Sequence, residues 1–305
     1  MDSFFVSAIA ELAADNHSGA AEIAERAADI LLRRASMGEA ASPDAFRQEL
    51  LTTGWALIRA QPSMAPIVNL VNAVLWKIEE SETPYSLRLA VEHTTNEFKR
   101  QIHYHALRVA EGALTLIADG STIITISHSS TVQHALLHAQ RAGRRFAVIC
   151  AESRPACEGR ETAAALARSG VPVTFVVDAA AVAEVRRANL VLVGADLLST
   201  EGLVNKVGTY ALALAAKASG VPFYTLCGSE KFLPPGYQTP EQKEWPADEV
   251  WSEAPPGVVI RNRYFEPIPL DLISGIVTEQ GTLPVAAIEA WLAAIKLHPA
   301  LVNCV

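Results

Sequence analysis

The sequence predicts an α/β protein, with a helical domain over residues 1–112 followed by a parallel-sheet domain over 113–305. Three observations predict it. Before Gly112, apolar residues recur at helical spacing; after it, short β-rich runs alternate with helical segments. That alternation implies right-handed crossovers and a parallel sheet covered by helices on both faces. Half of the 305 residues are hydrophobic, enough to bury a sizeable core.

The helical domain reads as follows. Asp15, Asn16 and Ser18 are helix-starting residues ahead of Ala20, Ile23, Ala24, Ala27, Ile30 and Leu31. Pro62 and Ser63 open a second helix through Ile67, Leu70, Val71 and Val74, and a third runs from about 85 to 114. In the sheet domain the strand runs are 122–127, 146–151, 173–178, 190–194, 223–227 and 273–278. Helices are expected between them at 131–142, 160–169, 179–187 and 205–219, with Gly143, Gly170 and Gly220 where three of them stop. Residues 233–258, rich in proline and charge, read as a long surface loop.

Charge and motifs narrow the function. The net charge of −8, from 25 basic and 33 acidic side chains, excludes a general nucleic-acid or acidic-membrane binder. The start of the chain has no basic segment and carries Glu11, so no signal peptide is expected. No apolar run reaches the roughly 18 residues that span a bilayer, and a cytoplasmic location is the expectation. Cys150, Cys157, Cys227 and Cys304 form no C-x-x-C pair. His134 and His138 lie four apart without a third ligand nearby and read as a half-exposed helix face, so no metal is expected. There is no G-x-G-x-x-G, Walker A sequence or nucleophile elbow, so no cofactor is expected either. Trp55, Trp76, Trp245, Trp251 and Trp291 read as core or interface residues.

In open parallel sheets, ligands bind beyond the carboxyl ends of the strands. Ser127, His128, Ser129, Ser130 and Thr131 follow the first run, as a phosphate cradle at a helix start or as an ordinary cap. Arg154 follows the second run, as an anion fork or a surface ion pair. Asp178 follows the third and suits an N-cap. Asp196 follows the fourth, as a general acid/base or a turn cap. Asn205 and Lys206 open the next helix, and Lys231 follows the fifth run. One sheet edge thus gathers serines, a histidine, an arginine, two lysines and an aspartate.

These motifs resemble a known family. The carriers are Ala151-Glu-Ser-Arg-Pro-Ala-Cys-Glu-Gly-Arg160, Gly194-Ala-Asp196, Gly202, Asn205-Lys206, Gly208-Thr209, Lys231-Phe232, Phe265-Glu-Pro-Ile-Pro269 and Thr278-Glu-Gln-Gly281. Ser18-Gly19-Ala20 and Gln61-Pro62-Ser63 add two weaker matches. The family is that of the initiation factor 2B α, β and δ subunits, which includes ribose-1,5-bisphosphate isomerase and methylthioribose-1-phosphate isomerase. The resemblance implies a Rossmann-like second domain, a homodimer or higher oligomer built through it, and protein partners. It implies a ligand that is a phosphorylated sugar or nucleotide.

It also implies a reaction that moves the carbonyl of a 1-phosphorylated aldose to carbon 2. Asp196 matches the family's aspartate, and His128 stands where the isomerases carry a cysteine. Ser129, Ser130, Arg154, Asn205, Lys206, Gly19 and Lys231 are the implied substrate-binding set. Ser18 and Gln61 stand where phosphate-binding arginines are expected. The sequence therefore points to a sugar-phosphate-binding protein, as an aldose–ketose isomerase of a 1-phosphorylated pentose. The alternative is a non-catalytic regulatory or assembly subunit that senses a phosphorylated metabolite.

Overall fold

The structure, a computed structural model, describes residues 3–38, 40, 42–239 and 243–302. Cys304 lies outside them.

Five helices come first: α1 (Ser3–Ala14), α2 (Ala20–Met37), α3 (Pro43–Ala60), α4 (Ala65–Glu79) and α5 (Pro84–Ala113). The periodicity named only α2, α4 and α5. The start of α3 is nonetheless written locally, since Ser42 accepts from the Ala45 amide and Pro43 stands in the first turn. Thr83 and Ser86 form a capping box at α5. α4 is apolar nearly all round and sits inside the bundle, burying Ile67, Val68, Leu70, Val71, Val74 and Leu75. α5 joins two cores: Leu87, Val91 and Ile102 pack in the bundle, while Val109, Ala110 and Ala113 pack on the sheet.

The sheet region runs β1 (Ser121–Ile126), α6 (Ser130–Arg141), β2 (Phe146–Ala151), α7 (Gly159–Arg168), β3 (Val173–Val176), α8 (Asp178–Glu184) and β4 (Leu190–Val193). It continues through β5 (Leu197–Ser199), β6 (Gly202–Lys206), α9 (Thr209–Ser219), β7 (Phe223–Leu226), α10 (Asp248–Trp251), β8 (Phe265–Ile268), β9 (Gly275–Thr278), β10 (Gly281–Leu283) and α11 (Ile288–Ala293). The main sheet has the order β10-β9-β7-β4-β1-β2-β3, parallel except for β10. β4 is buried along its whole length, as a strand covered on both faces should be. The order reverses between β1 and β4, which places the ligand crevice of such a sheet at their carboxyl ends.

Three corrections follow. Asn205 and Lys206 do not open a helix. They close β6, which pairs with β5 and β8 in a small antiparallel sheet, and α9 begins only at Thr209. Gly208, at φ 101°, makes the turn between them, a conformation a side chain would disfavour. The third strand ends at Val176, and Asp178 already belongs to α8. The 233–258 stretch is not all surface loop. Trp245 is buried against Tyr264, with stacked rings 4.7 Å apart, because its amide is held by the Asn262 carbonyl.

Candidate active site

One cavity lies at the carboxyl ends of β1 and β4, closed from above by the start of α2. It encloses about 640 Å³ counting its open mouth. Of the residues singled out in the sequence, Gly19, His128, Ser129, Ser130, Asp196, Asn205, Lys206 and Lys231 line it together.

The loop after β1 sets the anion side. Ser127 takes a left-handed backbone (φ 66°), its amide donates to Ser153 Oγ at 2.7 Å, and its carbonyl accepts from Thr162 Oγ1 at 2.9 Å. Ser129 caps α6. Gly194 is required here, because a Cβ would come within 2.4 Å of Ser129 Oγ. Gly19, the N-cap of α2, lines the same cavity, so two helix N-termini open on one space. Their unpaired amides and partial positive charge suit a phosphate.

His128 stands beside them. Its Nδ1 lies 3.3 Å from Thr162 Oγ1, whose proton already goes to the Ser127 carbonyl. The threonine oxygen can then only accept, which places a proton on Nδ1, so that in the neutral ring the lone pair is on Nε2.

Asp196 forms the floor. Its backbone is pinned on both sides, with its amide donating to the Val204 carbonyl and its own carbonyl accepting from the Ala65 amide at the start of α4. The carboxyl faces the cavity and is otherwise enclosed by protein. That burial pushes it up to about 6, against the pull of Lys231 and Lys206 and with help from Glu158.

The lysines differ. Lys206 is buried and held by Glu158 Oε1 at 2.6 Å, under the face of the Tyr264 ring at 3.9 Å. Lys231 is 3 % exposed and has no hydrogen-bond or ion-pair partner among the described residues. It is carried by a turn clamped from the helical region. Asn69 donates to the Glu230 and Phe232 carbonyls, and His105 Nδ1 meets Glu230 at 2.7 Å. Burial opposes charge on His105, but the Glu230 carboxylate outweighs it and holds the imidazole above its ordinary value. Asn205 donates to Thr209 Oγ1 at 3.1 Å.

Arg154 is not brought to the cavity. The Ser153 and Arg154 amides donate to Asp178 at 2.7 and 2.8 Å, and the exposed Arg154 guanidinium reaches the Val250 carbonyl. Asp178 thus serves this loop instead of capping its own helix. The residue the second loop delivers inward is Glu158.

Sequence reasoning missed the far wall. Trp245, Tyr264 and Phe265 line it, with Asp15, Asn16 and Gln61 along the edge of the helical region. Tyr264 donates to Glu249 at 2.6 Å; burial and that bond push its hydroxyl pKa up. Gln61 donates to the Leu12 and Asp15 carbonyls, both at 2.8 Å. Burial raises Asp15, but the Ser18 and His17 amides and Arg26 outweigh it and hold it below the usual carboxylate value. Glu158 and Phe265 stood inside family motifs, Gln61 at an expected phosphate-binding position, and Asp15 and Asn16 among the helix starters, but nothing in the sequence placed them on one wall. Trp245 and Tyr264 carried no site signal, since the aromatic wall is assembled from two stretches of chain nearly twenty residues apart.

A family model for the initiation factor 2 subunit family matches residues 16–285, a span that includes every cavity residue named above except Asp15. The chain belongs to that family. Within it, this member is 34 % identical over 274 residues to a ribose 1,5-bisphosphate isomerase of Archaeoglobus fulgidus, over 87 % of this chain and 85 % of that relative. Its fold matches the Pyrococcus horikoshii OT3 translation initiation factor eIF-2B with a TM-score of 0.81, at 28 % identity, over 93 % of this chain and 98 % of that one. It also matches a chain of the tetrameric eIF2B-beta2-delta2 complex from C. thermophilum with a TM-score of 0.74, at 26 % identity, over 95 % and 93 % of the two chains. Among the described residues no helix is long and apolar enough to cross a membrane.

Proposed function

We propose that this family member binds a phosphorylated sugar in the cavity and interconverts the aldose and ketose forms of a 1-phosphorylated pentose. The observation that carries the reading is Asp196, a carboxyl held up to about 6 on the floor of a cavity whose other side is two helix N-termini and a lysine. The phosphate would sit on the Gly19 and Ser129–Ser130 amides with Lys231 beside it, and Asn205 and Lys206 would hold the sugar.

Opening the ring breaks its C1–O bond and places a proton on the ring oxygen. Forming the C2 carbonyl releases the proton of the C2 hydroxyl, while the hydrogen on C2 moves with its bonding pair to C1, which the ring oxygen has left electron-poor. Asp196 supplies the first proton, and His128, through the lone pair on Nε2, accepts the second. Proton exchange between them through solvent restores the starting state.

The test is Asp196→Asn. Turnover of the 1-phosphorylated pentose should fall by about 10²–10⁴; undiminished turnover rejects the mechanism. Folding should not suffer. The raised carboxyl makes wild-type stability fall as pH climbs from its ordinary value of 3.8 to about 6, because the native state then holds more protons than the unfolded chain. Asparagine removes that cost, so the variant should be at least as stable at pH 7.

Oligomerisation through the sheet region and a cytoplasmic setting belong to the same proposal, and the multi-subunit assembly of the C. thermophilum relative supports the oligomer. A second reading has its own support: no cysteine among the described residues lines the cavity. In that reading the chain senses a phosphorylated metabolite and binds protein partners without chemistry. Ligand would then stabilise folding by about 2.7 kcal/mol at a hundredfold excess over Kd, and no ketose would form.

A further inference from the structure

We infer that the cavity is built for a sugar carrying one phosphate, its other end bearing hydroxyls; this rests on the sugar-phosphate reading above and sharpens it. The charge of the lining carries the inference. Among the described residues, three carboxylates line the cavity (Asp15, Glu158 and Asp196) against two ammonium groups (Lys206 and Lys231), and no arginine does. Lys206 is already matched to Glu158 at 2.6 Å, both side chains being almost wholly buried. Lys231 alone has its charge unmatched by an ion pair.

The N-termini of α2 and α6 add about half a positive charge each. Together with Lys231 that matches one phosphate monoester, which carries about −1.5 to −2 near neutral pH. A second phosphate would find no further lysine or arginine among the described lining residues. It would have to lie toward the far wall, beside Glu158. The neutral lining residues Ser18 and Gln61 offer it no charge either.

The far wall also says what the other end of the ligand should be. Glu158 is 6 % exposed, yet its Oε2 has no hydrogen-bond partner among the described residues. An unsatisfied buried carboxylate oxygen asks for a donor, and a sugar hydroxyl is one, whereas a phosphate is an acceptor that repels it. The Tyr264 ring and Trp245 that form this part of the lining are uncharged. The ligand therefore presents its phosphate to the helix N-termini and its hydroxyls to Glu158.

Titration calorimetry on the full chain with ribose 1-phosphate and with ribose 1,5-bisphosphate, at one ionic strength, tests this. The dissociation constant for the monophosphate should be about tenfold lower, a gap of roughly 1.4 kcal/mol. Ser18→Arg, at the half-buried edge of the cavity, should close most of that gap by strengthening bisphosphate binding, and Glu158→Gln should shift the ratio the same way. Equal or tighter binding of the bisphosphate by the wild-type chain overturns the inference, as does no binding of either sugar. Preferential binding of the monophosphate with no ketose formed would leave the inference standing and reject the isomerase reading instead.

Discussion

The loops after β1 and β2 begin alike and end differently. Each has a serine in the left-handed region within two residues of its strand, Ser127 at φ 66° and Ser153 at φ 65°, and the first serine's amide is bonded to the second's hydroxyl. From there the first loop needs only Ser129 as a cap to start α6 at the cavity. The second takes seven residues, 152–158, to reach α7 at Gly159, and Asp178, at the start of α8, holds the Ser153 and Arg154 amides on the way. The arginine is left in solvent and the glutamate arrives inside. Local capping chemistry decides the first loop; a carboxylate 25 residues downstream decides the second. A strand-end position tells where a residue starts, and a distant hydrogen bond can decide which way it faces.

Mutations can break or sharpen that contrast. Glu158→Ala should have the largest effect on stability. It leaves Lys206 buried without its counter-charge, which costs about 3–5 kcal/mol, read as a shift in denaturation midpoint. Asp178→Ala should cost less, about 2–3 kcal/mol, by leaving two backbone amides of the second loop without their acceptor. Because Ser153 also holds Ser127, the same variant should weaken sugar-phosphate affinity at a cavity it does not line. Arg154→Ala should change stability by less than about 0.5 kcal/mol and leave affinity unaltered, since its guanidinium is exposed and, among the described residues, bonded to one surface carbonyl. A large loss of affinity in the arginine variant would return Arg154 to the site and reverse the contrast.

What was legible followed from periodicity and strand-end rules. The β-rich runs placed the main strands within a few residues, and the strand-end rule collected Ser129, Ser130, Asp196 and Lys231 at one edge. The small antiparallel sheet was not legible. β5 and β6 are three and five residues long, β8 lies some sixty residues on, and the turn at Gly208 reads equally well as a helix start. Trp245 and Tyr264 were hidden for a related reason: they meet because the Asn262 carbonyl and Glu249 fold the 243–264 stretch back on itself. The α2 N-terminus was recognisable as a cap, but only its packing over the His128 loop makes it half of an anion site; a Cβ on Gly19 would touch the His128 carbonyl oxygen at 4.0 Å.

The role given to Asp196 is tested most directly by the pH dependence of kcat/KM for a 1-phosphorylated pentose, measured for the wild type and for Asp196→Asn. An acid that must be protonated to open the ring loses its competent form as pH rises through about 6, so wild-type kcat/KM should fall above that point. The bound phosphate, an anion in the same cavity, should hold the carboxyl protonated further, so kcat should persist to higher pH than kcat/KM. The asparagine variant should lie far below the wild type and lack that descending limb. A variant that keeps both the rate and the limb would show that the proton comes from elsewhere.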